Sequence, residues 1–162
     1  MKKVLFFPLL LVVSFMHAQR VMPDGSLTDL NNQKSTLYNV IRNNQMTVIS
    51  FWATWCGPCK IELDAYKAHY PNWKNKYKAA FLAISVDNAR AWPQVKNMVT
   101  AKGWPYSIYW DSEGGLMTKL NIQSIPQTYI LNQKGQIVAE FTGYSPGAEQ
   151  KIEAKLLALS GK

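Results

Sequence analysis

Residues 51–60 read FWATWCGPCK and contain both cysteines of this 162-residue chain, Cys56 and Cys59. A disulfide between them would close a loop of about four residues, and the stabilisation that a disulfide gives grows with the length of its loop. A structural zinc site is almost always tetrahedral, and besides the two thiols the chain offers only His17 and His69. His17 lies in a predicted leader that is removed. Thiol-disulfide chemistry is therefore favoured over a structural staple or a metal site.

The start of the chain is typical of a secretory signal peptide. A pair of lysines precedes an apolar stretch over residues 4–15, and a small residue, Ala18, follows at the expected cleavage position. The alternative is a membrane anchor, but a spanning helix needs about 20 apolar residues, and this stretch is shorter and contains Pro8. We predict a signal peptide over residues 1–18, a mature domain over residues 19–162, no stable membrane insertion, and a periplasmic or otherwise exported location.

Charge and composition point away from several classes of partner. The formal net charge is +8, yet the lysines are scattered, with only Lys74, Lys76 and Lys78 loosely grouped. Scattered charge of this kind is typical of a solvated face. An exported chain without a basic stripe or a nucleic-acid motif is predicted not to bind nucleic acid. The sequence also indicates neither a metal nor a cofactor.

Predicted helices and strands alternate along the chain. Turn signals in residues 24–37 indicate a small hairpin, and residues 46–52 form a β-prone run typical of a strand buried on both faces. The later elements are a helix that begins at Pro58 and ends by Pro71, a strand over 80–86, a helix over 93–102, a strand over 106–109, a helix over 116–121, a hairpin of 127–131 and 136–142, and a helix over 148–159. This alternation predicts an α/β domain whose central, largely parallel sheet has helices on both faces.

The cysteine motif falls where a predicted strand ends and a helix begins. The thiolate is the nucleophile in disulfide exchange, and the N-terminus of a helix stabilises it with unpaired N–H donors and a partial positive charge. We therefore predict that Cys56 is the thiol that attacks the substrate disulfide. Cys59, one turn into the helix, is predicted to be more shielded and to resolve the mixed disulfide.

The motif in residues 51–60, together with SIPQTYILNQKGQIV in residues 124–138, resembles the thioredoxin superfamily. More narrowly, the chain is similar to the exported TlpA/ResA-like thiol-disulfide oxidoreductases over about residues 24–160. The resemblance implies a thioredoxin-like three-layer fold with a central mixed sheet and helices on both faces. It also implies an additional helix and strand, here residues 93–109, between the active-site half and the proline hairpin.

The resemblance assigns a role to individual residues of this chain. Cys56 matches the nucleophile, Cys59 the resolving thiol and Trp55 the aromatic residue beside the site. Pro126 matches the cis-proline of the family. Ile125, which precedes it, would offer its backbone N–H and C=O groups to an extended substrate, a mode of binding that reads little side-chain sequence.

One position departs from the pattern of thioredoxins proper. Those proteins carry a buried aspartate in the strand before the motif, and this chain has Ser50 there. Glu62 shares a helix face with Cys59, and a carboxylate at this position occurs in the ResA-like group. We predict that Glu62 handles the proton of Cys59, and the alternative is an ordinary first-turn glutamate favoured by the helix dipole. Asp87 is interpreted as a solvated or helix-start residue.

The predicted function is an exported thiol-disulfide oxidoreductase that reduces client proteins through Cys56 and Cys59. The Gly-Pro dipeptide between the cysteines matches reducing thioredoxins. The resemblance implies a membrane protein that supplies electrons, in a setting such as cytochrome c maturation. Two alternatives remain open: an oxidase or isomerase with the same dithiol, and a binding module that holds a client thiol, a haem apoprotein or copper without turnover.

Overall fold

The computed structural model describes residues 20–161, so the predicted signal peptide and its cleavage after Ala18 lie outside the described residues. The strands are β1 (Ser26–Asp29), β2 (Lys34–Thr36), β3 (Met46–Trp52), β4 (Ala79–Ser85), β5 (Ser107–Trp110), β6 (Gln127–Asn132) and β7 (Ile137–Thr142). The helices are α1 (Leu37–Ile41), α2 (Gly57–Tyr77), α3 (Trp92–Lys102), α4 (Gly115–Lys119) and α5 (Ala148–Leu159).

The strands of the described chain form one seven-stranded sheet with the order β2-β1-β5-β4-β3-β6-β7. Parallel pairing joins β3 to β4 and β4 to β5, whereas the other neighbouring strands are antiparallel. The mixed sheet that the resemblance implied is thus confirmed. Alternation of elements by itself overestimated the parallel share, because the hairpins at both ends of the sequence add antiparallel pairs.

Both faces of the sheet are covered, which explains the continuous apolar run of β3. Val48 and Trp52 face a core cluster that includes residues of α2, α3 and α5. Ile49 and Phe51 face the opposite cluster, to which α1 and α4 contribute. Successive side chains of a strand point to opposite faces, so a strand between two helical layers needs apolar residues at nearly every position.

Among the helices within residues 20–161, none is long and apolar enough to cross a membrane.

The predicted extra helix and strand are present as α3 and β5. Strand β5 is parallel to β4 and antiparallel to β1, and it therefore links the N-terminal hairpin to the centre of the sheet. On α3, Val95 and Val99 are buried against the same core cluster as α2, and Trp92 lies at its first turn. The insertion thus widens the sheet on the side of β4.

Helix α2 does not end by Pro71, as the sequence predicted, but continues to Tyr77. Proline removes one helical hydrogen bond and costs about 3 kcal/mol in a helix interior. Beyond Pro71, Trp73 and Tyr77 are buried. Full burial of a large apolar side chain stabilises by about 1.5–3 kcal/mol each. Packing of the last turns against the core therefore outweighs the local cost of the proline.

The short helix α1 was not predicted from the sequence. It has five residues, too few to show a helical period, and it begins after Thr36, whose hydroxyl accepts a hydrogen bond from the N–H of Asn39 at 3.3 Å. Leu37 and Ile41 turn inward and are buried. A capping threonine was the only local signal for this helix.

Candidate active site

Cys56 occupies the junction between the central strand β3 and helix α2. It is the N-cap of α2, and its sulfur accepts a hydrogen bond from the backbone N–H of Cys59 at 3.2 Å. Pro58, in the first turn, supplies a fixed φ angle where a helix needs no N–H donor. The predicted placement of Cys56 at a helix N-terminus is confirmed, and a thiolate at this atom would be stabilised by the N–H and the helix dipole.

The two cysteines form a disulfide in this structure, with their Cα atoms 5.3 Å apart. Cys56 is 5% exposed and Cys59 is fully buried, so Cys56 is the more accessible residue of the pair. Gly57 and Pro58 between them are exposed. The pair is therefore placed to form a disulfide, as thiol-disulfide chemistry requires, and the attacking and resolving roles remain predictions.

The proline loop leads into β6, which is antiparallel to β3, so it lies beside the end of β3 and close to the disulfide. The Ile125–Pro126 peptide bond is cis, as the resemblance implied. The carbonyl oxygen of Ile125 lies 3.8 Å from the sulfur of Cys56. Pro126 is buried, and its carbonyl accepts a hydrogen bond from the N–H of Gly143 at 2.8 Å. The fold thus brings together two segments that are 69 residues apart in the sequence.

Two apolar side chains beside the cysteines are exposed. Trp55, immediately before Cys56, is 71% exposed, as expected for an aromatic residue at the surface of the site. Ile61, one turn beyond Pro58 on α2, is 60% exposed and was not identified from the sequence. Both side chains are available for contact with another molecule.

Glu62, three residues beyond Cys59 on α2, is buried, and its carboxylate accepts three hydrogen bonds from hydroxyl groups. Ser50 donates to Oε2 at 2.6 Å, and Tyr66 and Thr128 donate to Oε1 at 3.0 and 3.1 Å. The side chain is 1% exposed. The alternative that Glu62 is an ordinary surface glutamate at the start of a helix is therefore wrong. Its carboxylate reaches the strand position where thioredoxins proper carry their aspartate.

The surroundings of Glu62 bring the pKa of its carboxyl close to neutral pH. Burial raises the pKa of the Glu62 carboxyl from 4.5 to about 7, against the opposing effect of the hydroxyl donors Ser50, Tyr66 and Thr128. The pKa of the Tyr66 hydroxyl is raised far above its ordinary value, by burial first and then by the neighbouring Glu62 charge. Glu62 is therefore the group of this cluster that titrates in the physiological range.

The sequence did not identify Tyr66 and Thr128 as partners of Glu62. Thr128 lies on β6 directly opposite Ser50 on β3, so the two hydroxyls are cross-strand neighbours. Tyr66 is one turn beyond Glu62 on α2. The available signal was the presence of Ser50 and Thr128 within two mostly buried strands, because a buried hydroxyl needs a partner.

Asp87 is buried, and helix α3 begins only at Trp92, so the interpretation of Asp87 as a solvated or helix-start residue was wrong. The side chain is 3% exposed and accepts hydrogen bonds from Thr54 and Ser85. Asp87 follows β4, which is parallel to β3, so it lies at the same edge of the sheet as the cysteine motif. A buried carboxylate is retained only where donors compensate its lost hydration.

Potential metal ligands are dispersed in the described part of the chain. No group of three or more His, Cys, Asp or Glu side chains in residues 20–161 is placed to hold a metal ion. His69 lies on α2 with its Nδ1 3.9 Å from Glu153, on the helical layer, and it packs near the ring of Trp73. His17 lies outside the described residues.

The raised pKa of Glu62 predicts that stability falls as the pH rises. The unfolded carboxyl titrates near 4.5 and the folded one near 7, so the native state holds the proton more tightly. The stabilisation linked to this proton is complete below pH 4.5 and is lost as the pH rises through about 7. We expect the free energy of unfolding in urea, with the disulfide intact, to fall by about 3 kcal/mol more in the parent than in Glu62→Gln between about pH 4 and pH 8. If the free energies of unfolding of the parent and Glu62→Gln changed in parallel with pH, the raised pKa of Glu62 would be contradicted.

Comparisons with known proteins agree with this geometry. The family model for the AhpC/TSA family matches residues 18–140. The chain is 32% identical over 118 residues to Sporulation thiol-disulfide oxidoreductase A of Bacillus subtilis (strain 168), covering 71% of this chain and 68% of that protein. It is 26% identical over 121 residues to Thiol-disulfide oxidoreductase ResA of Geobacillus kaustophilus (strain HTA426), covering 75% and 67%.

A solved structure shows the same fold. The uncharacterized thioredoxin-like protein from Porphyromonas gingivalis superposes with a TM-score of 0.76 at 29% identity, covering 86% of this chain and 92% of that chain. The names of the relatives and the disulfide at the start of α2 both indicate thiol-disulfide chemistry. The chain therefore belongs to the AhpC/TSA family and, within the thioredoxin superfamily, to the TlpA/ResA-like thiol-disulfide oxidoreductases.

Proposed function

We propose that this chain is an exported reductant of protein disulfides, with Cys56 as the attacking thiol and Cys59 as the resolving thiol. The observation that carries the proposal is the position of the Cys56 sulfur. It caps α2, where the N–H of Cys59 supports a thiolate, and it lies 3.8 Å from the carbonyl oxygen of Ile125. A client strand that bonds to the backbone of Ile125 would be held beside that sulfur.

The exchange proceeds in two balanced steps. The Cys56 thiolate attacks one sulfur of the client disulfide, forms a mixed disulfide and expels the other client sulfur as a thiolate, which takes up a proton. Cys59 then loses its proton and attacks Cys56, which forms the intramolecular disulfide and releases the second client thiolate. Two electrons pass from the dithiol of the protein to the client, and the protein ends in the oxidised form that the structure contains.

Glu62 supports both the second step and the reducing direction. Cys59 is fully buried, and burial raises the pKa of a thiol, so a nearby base is needed to take its proton. Glu62, one turn further along α2 with a pKa of about 7, fits that task. Its negative charge also disfavours a second charge on the thiols. Because strong oxidants owe their potential to a stabilised reduced form, a carboxylate here favours a reductant.

Export and partners complete the proposal. The signal-like start of the sequence supports an oxidising compartment, where a reductant has clients whose cysteines must be kept as thiols. Proteins that attach haem through cysteines, as in cytochrome c maturation, are one such class. A reductant outside the cytoplasm must itself be reduced, and we propose a membrane protein as the electron donor. Exposed Trp55 and Ile61 offer apolar surface to these partners in turn.

The reduction potential of the Cys56/Cys59 couple tests the direction of electron flow. We expect a value closer to the roughly −270 mV of thioredoxin than to the roughly −120 mV of DsbA, measured by equilibration with a glutathione or dithiothreitol buffer. A value near that of DsbA would favour an oxidase. Failure of the wild-type protein to exchange with any protein disulfide would instead favour a binding module.

Trapping of mixed disulfides tests the division of labour between the thiols. Cys59→Ser keeps the attacking thiol and removes the resolving one, so it should accumulate covalent complexes with a protein disulfide such as that of insulin. Cys56→Ser should trap little, because Cys59 is fully buried. Non-reducing gel electrophoresis measures the amount of covalent complex that each variant forms. Equal or greater trapping by Cys56→Ser would reverse the assignment.

Substitution of Glu62 tests its part in resolution. A positioned general base contributes about 10²- to 10⁴-fold, so Glu62→Gln should slow release of the mixed disulfide by at least tenfold while attack by Cys56 changes little. The apparent thiol pKa values should also fall, because a negative neighbour is removed.

A matched control for Glu62 is present on the same helix. Asp64 lies on the outer face of α2, where it bonds to Lys102 and Trp104, so Asp64→Asn removes a carboxylate of α2 away from the buried cluster. It should leave release unchanged. The proposed role of Glu62 is excluded by release rates of Glu62→Gln within about twofold of the parent and superimposable thiol titrations.

A further inference from the structure

Asp87 lies at the edge of the sheet where β3 and β4 both end, next to the loop that carries the cysteines. Its Oδ2 accepts hydrogen bonds from the N–H of Thr54 and the hydroxyl of Ser85, both at 2.9 Å, and its Oδ1 accepts from the hydroxyl of Thr54 at 2.6 Å. Hydrogen bonds to a carboxylate are stronger than those between neutral groups. The contacts fix Thr54 to the end of β4.

Every polar group of Thr54 is engaged in this arrangement. Its N–H and hydroxyl bond to Asp87, and its carbonyl oxygen accepts a hydrogen bond from the ammonium group of Lys60 on α2 at 3.1 Å. Thr54 is two residues before Cys56, and Trp55 between them is exposed. With Thr54 held from β4 and from α2, the direction in which Trp55 and Cys56 leave the sheet is determined.

Asp87 is itself held in place by the inserted helix and strand. Its backbone carbonyl accepts a hydrogen bond from the indole N–H of Trp110 on β5 at 2.7 Å. The ring of Trp110 stacks on that of Trp92 at the start of α3, with centroids 5.4 Å apart and planes inclined by 20°. The insertion is thereby connected to the cysteine loop through one buried aspartate.

We infer that Asp87 is a positioning residue for disulfide exchange, which acts through Thr54 to aim Cys56 at a client disulfide bound along Ile125. The inference rests on the proposed role of Cys56 as the attacking thiol. Attack on a disulfide requires the three sulfurs to approach one line, and a displacement of about 1 Å can cost about 10²-fold in rate. The hydrogen bond that stabilises the sulfur comes from the N–H of Cys59 in α2, whereas the carboxylate of Asp87 bonds to Thr54 and Ser85, so aim and thiolate stability are separable.

In Asp87→Ala the Cys56 sulfur should therefore be poorly aligned on the client disulfide, whereas the intrinsic reactivity of its thiol should be unchanged. We expect its rate of exchange with a peptide disulfide to fall by about 10- to 100-fold. Alkylation of reduced Cys56 by iodoacetamide, which needs no alignment on Ile125, should stay within about twofold of the parent. Exchange is measured in both directions, reduced protein with peptide disulfide and oxidised protein with peptide dithiol, so that the comparison holds for a reductant and for an oxidant.

Asp87→Asn separates position from charge. The amide oxygen can accept from the N–H of Thr54, and the amide N–H₂ can donate to its hydroxyl, so the loop stays anchored without the negative charge. We expect exchange within about threefold of the parent and unchanged alkylation. An equal loss in Asp87→Asn and Asp87→Ala would assign the effect to charge and overturn the positioning role.

Asp111 provides a matched control at the same edge of the sheet. It is also 3% exposed, follows β5, and accepts hydrogen bonds from the N–H groups of Leu116 and Met117 in a segment without cysteines. A purely structural role predicts that Asp87→Ala and Asp111→Ala both lower the thermal midpoint and leave the ratio of exchange to alkylation unchanged. Positioning predicts a changed ratio only for Asp87→Ala.

The remaining outcomes are also decisive. If Asp87→Ala does not fold, Thr54→Val, which removes only the hydroxyl bond, should lower exchange severalfold with unchanged alkylation, and exchange at the parental rate would overturn the inference. An active parent with an equally active Asp87→Ala overturns the positioning role alone. A parent that exchanges with neither peptide form overturns the proposed function as well.

Discussion

The junction between β3 and α2 is the constraint on which the site depends. A strand buried on both faces can end only at the edge of the sheet, and the next helix begins there with unpaired N–H groups. Cys56 lies at that point, and its sulfur accepts a hydrogen bond from the backbone N–H of Cys59. The same hydrogen bond that caps the helix would stabilise the thiolate, so folding and reactivity use one interaction.

The buried carboxylate of this site comes from helix α2, whereas thioredoxins proper carry theirs on the strand. Ser50 carries a hydroxyl where thioredoxins proper carry the aspartate, and it donates a hydrogen bond at 2.6 Å to the carboxylate of Glu62, which extends from α2. Burial and hydroxyl donors act in opposite directions on the carboxyl, and burial dominates. Its pKa of about 7 is the result of that balance.

The insertion of α3 and β5 is more than an extension of the sheet. Trp110 donates a hydrogen bond to the carbonyl of Asp87, and Trp92 stacks on Trp110. The carboxylate of Asp87 in turn accepts a hydrogen bond from Thr54, just before the cysteines. The opposite side of the motif is bounded by the loop at Ile125. The sulfur of Cys56 thus lies between two segments that come from distant parts of the sequence.

The sequence by itself determined the order of the elements other than α1, the position of Cys56 at a strand–helix junction and, through the family resemblance, the cis-proline and the inserted helix and strand. These follow from local patterns and short motifs. Tertiary structure alone decided that α2 continues past Pro71, because two buried rings beyond it outweigh a lost hydrogen bond. It also decided that Glu62 and Asp87 are buried, since a carboxylate looks alike in sequence whether water or hydroxyl donors surround it. Long-range pairing supplies those donors, and no local pattern encodes them.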